Sequence, residues 1–196
     1  MSDECMKCSC RTRDFNPKGK CLNCKHHIVY HNISDINTIS KDLQMFHNIS
    51  QITRNLYIGS IVTSMDTVQL GKTGITHIVN CVNDATNKWS GYIQIPGIHY
   101  LSIEMGSSKT AIIGYHIKKI VSFINNAVEN NGKILIHCVK GVSRSSSILI
   151  AYLIVMENYS FDDAFNLIKK ERSICNPNKN LIDQLRNVNR SYFYHS

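Results

Sequence analysis

The segment that most constrains this chain is residues 133–145, KILIHCVKGVSRS. Its first five residues form a short apolar run that predicts a buried strand. Residues 145–158 are apolar nearly all round, as expected of a helix at a domain centre. The seven residues between them must therefore join the end of one buried element to the start of another. Such joints gather backbone N–H groups at one point, where the helix dipole adds positive potential. Gly141 permits a backbone conformation that other residues resist. Arg144, at the helix start, can bind two oxygens of a phosphate at once. Cys138 lies in the same field, which lowers its thiol pKa from about 8.5. A thiolate beneath a phosphate-shaped cradle is a nucleophile for phosphorus. A buried cysteine in a tight turn beside a surface arginine would explain either residue alone, but not the joint pattern.

The chain around this segment reads as one α/β domain. Residues 52–58 form an apolar segment ending at Gly59-Ser60, and a helix is expected after Ser64, whose side chain can cap it. A β-branched run at 75–79 predicts a buried strand, and further strands are expected at 92–95 and 98–103. Between 111 and 130, Ile113, Ile117, Ile120, Val121, Ile124 and Val128 share one helical face, which Asn131-Gly132 ends. Ser160 with Asp163 predicts a capping box opening a helix to Glu171, and a last helix is expected over 179–192. The boundaries follow: 1–26 a cysteine-rich module, 27–48 a linker or loosely docked segment, and 49–196 the main domain.

Composition limits the partners. The 196 residues carry a formal charge of +8, of which +2 falls in residues 1–50 and +6 in residues 51–196, so the basic main domain suits an anionic ligand. The longest apolar run, 148–156, is half of what a membrane span needs, and the N-terminus has no apolar signal core. We therefore expect a soluble cytoplasmic protein with no membrane partner. Five of the eight cysteines lie in the first 24 residues, and a reducing compartment disfavours disulfides there.

HCVKGVSRS resembles the His-Cys-x5-Arg-Ser signature of the dual-specificity branch of the protein tyrosine phosphatases. Residues 52–60 (ITRNLYIGS), 74–80 (GITHIVN) and Pro177-Asn178 with Gln184-Leu185 resemble other parts of that domain, in the same order, over about residues 50–190. The resemblance implies a central, mostly parallel sheet flanked by helices. It implies that Cys138 forms a phosphocysteine, while Arg144 and the N–H groups of Val139, Lys140, Gly141, Val142, Ser143 and Arg144 bind the equatorial oxygens. Ser145 would donate to the departing thiolate, His137 would order the loop from behind, and Asn178 would help hold its shape. No cofactor is implied for catalysis, and the partners would be proteins phosphorylated on tyrosine, and on serine or threonine.

One family feature is missing. The general-acid Asp falls at or beside Ser107 here, and no Asp lies between Asp84 and Asp162. Positioned acids contribute about 10²–10⁴-fold. Glu104 is the nearest carboxylate and could substitute as the acid if its loop is rearranged, but the preferred expectation is that it points to solvent, so turnover should be slow and aryl phosphates preferred. Two rivals remain: a phosphoprotein-binding pseudophosphatase that keeps the cradle, and an RNA 5′-phosphatase using the same chemistry on nucleic acid.

Cys5, Cys8, Cys21 and Cys24 have the pair-and-pair spacing of a zinc knuckle, with a turn at Asn16-Pro17-Lys18-Gly19 between the pairs. Cys10, His26 and His27 are further donors that leave the ligand set open. A structural zinc ion is expected there, with a structural or partner-binding role. The alternative is a disordered tail of reactive thiols.

Overall fold

The computed structural model describes residues 5, 10, 15–16, 19–31, 40–82, 94–106, 110–189 and 191, the side chains at 30 and 42 excepted. Five strands form one sheet: β1 (Ser50–Gln51), β2 (Leu56–Ser60), β3 (His77–Asn80), β4 (His99–Ser102) and β5 (Ile134–Cys138). Their spatial order is β1-β2-β5-β3-β4. Only β1 runs antiparallel to its neighbour; β5 pairs in parallel with both β2 and β3. This is the α/β class that the alternation predicts, with the mostly parallel sheet that the resemblance implies.

Period-two alternation divides the strand residues between the two faces. Leu56, Ile58, Val79, Ile134 and Ile136 belong to the large core. Tyr57, Ile78 and Leu135 belong to a smaller one on the opposite face, with Leu70 and Ile75. Helices cover both sides, which is why the central strands are apolar at nearly every position. α4 (Ile117–Glu129), α5 (Arg144–Glu157), α6 (Phe161–Glu171) and α7 (Lys179–Leu185) pack on the large core. Leu70 of α3 (Thr67–Thr73) closes the smaller one. Every residue of α5 from Ser145 to Val155 is buried, so the helix that opens at Arg144 runs through the interior.

Local signals explain most element ends. The Ser160 hydroxyl oxygen accepts from the Asp163 N–H at 3.1 Å and its O–H donates to the Asp163 carboxylate at 2.6 Å, the expected capping box. The expected cap at Ser64 is a correction. Ser60 caps α2 (Ile61–Met65) and Asp66 caps α3, while Ser64 is buried inside α2 and donates to the Ile61 carbonyl. The turn thus comes four residues earlier than predicted, directly at the end of β2. In the strand expected at 92–95, residues 92 and 93 lie outside the described residues and 94 and 95 are not in a strand. The helix expected over 179–192 stops at Leu185; residues 186–189 are not helical and 191 is.

The segment expected as a linker is packed where it is described. Ile28, Val29, Leu43 and Phe46 are buried together against Val62, Val139, Val142 and Ile174 of the main domain. Scattered isoleucines without a period gave no signal for this, because a short 3₁₀ turn (Ile28–Tyr30) and a four-residue helix, α1 (Lys41–Gln44), carry no amphipathic repeat. Among the described residues no helix is long and apolar enough to cross a membrane.

Candidate active site

Cys138 is the last residue of β5, level with Ser60 on the neighbouring strand. It is 4% exposed, and the loop that follows returns the chain to Arg144 at the start of α5. Gly141 makes that return possible. Its φ is +67°, and an added Cβ would overlap the Gly59 carbonyl and come within 2.9 Å of Arg172 Nη2. The loop after β5 and the end of β2 therefore cross with no room for a side chain. At Gly59 an added Cβ would overlap the Thr63 side-chain hydroxyl rather than backbone.

The thiol of Cys138 is set against its burial. Desolvation pushes its pKa up, but the Ser145 hydroxyl at 3.3 Å, the Ser145 and Val142 backbone N–H groups and the Arg144 guanidinium outweigh it. The net shift is downward, as a helix N-terminus and a nearby cation require. Two other cysteines show the opposite. Burial pushes the Cys81 thiol well above its ordinary range and the Cys175 thiol up to about 12. His137 sits fully buried behind the loop, paired by register with Gly59 and Asn80. Burial lowers its pKa to about 3, so it is a neutral packing and hydrogen-bonding residue here.

Further contacts fix the loop from its far side. The Asn178 backbone N–H donates to Ser143 Oγ at 3.2 Å, while the Asn178 side chain caps α7 by accepting from Leu181 N–H. The Asn176 N–H donates to the Val142 carbonyl at 2.8 Å. Lys140 is exposed at the loop's tip, and its pKa is lowered by partial burial and by the neighbouring charge of Lys20.

Arg172 is a residue that the sequence reading did not single out. Its side chain is fully buried. Nε donates to the Gly141 carbonyl at 2.9 Å, and Nη1 donates to the Asn48 carbonyl at 3.0 Å and Ser50 Oγ at 3.1 Å. One guanidinium thus ties the turn at Gly141 to the chain entering the sheet. In the sequence it follows Lys169, Lys170 and Glu171, and no local pattern separates it from those partly solvated neighbours.

The acid position remains open. Glu104 is exposed and lines a shallow cavity of about 230 Å³ with Ser102, Ile103, His116, Lys119 and Ile120. Met105 is buried, and its carbonyl accepts from Arg144 Nη1 at 3.3 Å. The segment after β4 therefore reaches Arg144 at the start of α5. Ser107, where the family's Asp is expected, lies outside the described residues.

The N-terminal donors come together in a different grouping from the one that spacing suggests. Cys5, Cys24 and His31 form one cluster and Cys10, Cys21 and Cys24 another, each with ligand atoms within 4.8 Å of one another. Cys8 lies outside the described residues. Cys5, Cys21 and Cys24 are all present in these clusters, and Cys10, a spare donor in the sequence reading, joins them. His31 was not among the expected donors; it stands seven residues beyond Cys24, outside any Cys-x2-Cys spacing.

Comparison with known proteins bears on the same region. Residues 56–191 match the family model described as the dual specificity phosphatase, catalytic domain. The chain is 34% identical over 136 residues to protein-tyrosine-phosphatase MKP1 of Arabidopsis thaliana, matching 69% of this chain but only 17% of that protein. It is 31% identical over 142 residues to human dual specificity protein phosphatase 22, covering 72% of this chain and 74% of that one. The crystal structure of DUSP15 superposes with a TM-score of 0.65 at 29% identity, covering 72% of this chain and 86% of that one. The chain spans less than half the length of several of the curated relatives it matches.

Proposed function

Because the chain belongs to the dual-specificity phosphatase family, we propose that it hydrolyses phosphate esters on proteins, on phosphotyrosine first and on phosphoserine or phosphothreonine more slowly. The single observation that carries this reading is the Cys138 thiol. It is buried, yet its pKa is lowered by Ser145, Arg144 and the loop backbone.

The reaction proceeds in two displacements. Cys138 Sγ attacks phosphorus, the S–P bond forms, and the bond to the leaving oxygen breaks. Arg144 binds two of the equatorial oxygens bidentately, and the loop N–H groups share the negative charge. Water then attacks phosphorus, the S–P bond breaks, and the Ser145 hydroxyl stabilises the thiolate as it leaves. The leaving oxygen must gain a proton in the first step, and the chain has no Asp at the expected place. A phenolate, the weaker base, leaves without that help far more readily than an alkoxide, which gives the preference for aryl esters. The N-terminal thiolates hold a structural zinc ion and take no part in phosphoryl transfer.

The missing acid also favours a second reading, in which the cradle captures phosphoproteins without turning them over. Phosphate release from an aryl phosphate, a phosphotyrosine peptide and a phosphoserine peptide separates the two. We expect turnover of the first two, at least about tenfold slower turnover of the third, and none with Cys138→Ser. Tight phosphopeptide binding with no release from any substrate establishes the second reading instead. Equal rates on aryl and alkyl esters, unchanged by Glu104→Gln, would mean that another acid serves the site.

A further inference from the structure

The proposed zinc ion can be given a ligand set, and its position suggests what it does. Tetrahedral zinc with Zn–S bonds of about 2.3 Å and Zn–N bonds of about 2.0–2.1 Å places its thiolates about 3.8 Å apart and a thiolate and an imidazole nitrogen about 3.6 Å apart. Cys10 Sγ and Cys21 Sγ are 3.9 Å apart, and Cys24 Sγ lies 3.5 Å from His31 Nε2. Cys24 joins the two pairs, because its sulfur is within 4.8 Å of both partners in each cluster; the four atoms do not form one group, so closure on a single ion draws His31 Nε2 towards Cys10 and Cys21.

The surroundings are those of a built site. The Cys24 N–H donates to Cys21 Sγ at 3.3 Å, and Asn23 Nδ2 donates to Cys10 Sγ at 3.3 Å. Donors of this kind orient thiolate ligands. His31 is fully buried, its ring is held edge-on by Phe15 at 4.9 Å, and its Nδ1 has no hydrogen-bond partner. An uncompensated imidazole in the interior is costly unless its other nitrogen gains something large. Cys5, the other donor near Cys24, already faces His26 Nδ1 at 3.4 Å.

We propose that Cys10, Cys21, Cys24 and His31 hold one zinc ion, and that this ion keeps the N-terminal segment in place as a wall of the phosphate loop. Ile28 and Val29 lie between two of the four ligands in sequence, and both are fully buried. They pack in one cluster with Val139 and Val142, which flank the turn at Gly141. A segment this short and poor in apolar residues gains most of its order from the metal. Loss of the ion therefore frees the wall, and the loop behind it loses its packing. The coupling rests on the phosphatase reading for its consequence, whereas the ligand set does not.

Elemental analysis of the full chain after exhaustive dialysis, with absorption spectra of the cobalt-substituted protein, tests the site. We expect one equivalent of zinc and thiolate-to-cobalt bands. His31→Ala and Cys10→Ser should each fall below about half an equivalent, His31→Cys should restore the ion, and Cys8→Ser should keep it. Wild-type protein below half an equivalent overturns the site; zinc kept in His31→Ala but lost in Cys8→Ser overturns the ligand set. Hydrogen exchange at the N–H groups of residues 139–144, with and without chelator, tests the coupling without relying on turnover. Exchange should accelerate at least about tenfold on zinc removal, and an unchanged rate overturns the coupling. Cys138→Ser should keep both its zinc and its exchange protection, so a chain that binds zinc in this way and never releases phosphate strikes the phosphatase reading alone.

Discussion

Two regions of this molecule are built from cysteine, and they use it in opposite ways. At the end of β5 the Cys138 thiol stands in a packed interior, at the start of a loop held to one backbone path. Near the N-terminus several thiols and an imidazole are gathered in a segment with few apolar residues. The first region has its order from the sheet and the buried helix, so its cysteine is free to react. The second has little core of its own, so its cysteines are placed to supply order by binding. On the readings proposed above, the same side chain serves as a nucleophile where the fold supplies rigidity and as a ligand where it does not.

The comparison breaks first if the rigidity of the phosphate loop is not what makes Cys138 reactive. Gly141→Ala puts a Cβ against the Gly59 carbonyl at a φ of +67°. We expect kcat/KM on an aryl phosphate to fall about 10²-fold, since displacement of a reacting group by about 1 Å costs that much. Stability should drop by about 2 kcal/mol, read by urea unfolding. A tolerated alanine would show that the crossing at Gly59 does not set the loop.

Arg172→Met is next in size. It takes the guanidinium from the carbonyls of Gly141 and Asn48, leaving the first with the Cys175 thiol at 3.8 Å. The expected cost is about 2–4 kcal/mol in unfolding and about tenfold in kcat/KM, with zinc content unchanged. Parallel loss of zinc would mean that the two regions are not separately ordered.

Ser145→Ala probes the charge rather than the scaffold. Cys138 is lowered in the folded protein, so kcat/KM should rise with pH through a value below the ordinary thiol pKa of about 8.5 and level off above it. Removing the hydroxyl takes away one of the groups that favour the thiolate, so that limb should move to higher pH. Breakdown of the phosphocysteine should slow about tenfold, seen as a burst of leaving group in rapid mixing. A limb that stays in place would shift the credit to Arg144 and the backbone.

The smallest effect sharpens the contrast among the thiols themselves. Brief alkylation of the native protein at neutral pH should label Cys138 and spare Cys81 and Cys175, whose thiols burial keeps protonated. Mass spectrometry of the digest reads the sites directly. Labelling of Cys175 at a comparable rate would mean that its surroundings open on that timescale.

Sequence alone carried the sheet and the centre of the site because their signals are local. KILIH, the Cys-x5-Arg spacing and the apolar helix are contiguous, and the structure places them as strand, loop and helix. The helix after β2 was misplaced because Ser60, Ser64 and Asp66 are all competent caps, and only the end of the strand decides among them. Arg172 was invisible because its meaning lies in carbonyls 31 and 124 residues away. His31 was missed for a related reason: it stands outside any Cys-x2-Cys spacing, and its approach to Cys24 is made by folding the chain between them. Contacts that depend on chain reversal leave no trace in local periodicity.

The strand order has a consequence for how the protein comes into being. β5 fills the slot between β2 and β3, both of which precede it in the chain. A chain that stops before residue 134 therefore lacks the strand that joins β2 to β3. The groups that lower the Cys138 thiol, Ser145, Arg144 and the Val142 N–H, all follow it in the chain. On the proposed reading, the strand that completes the centre of the sheet is also the one that carries the reactive thiol.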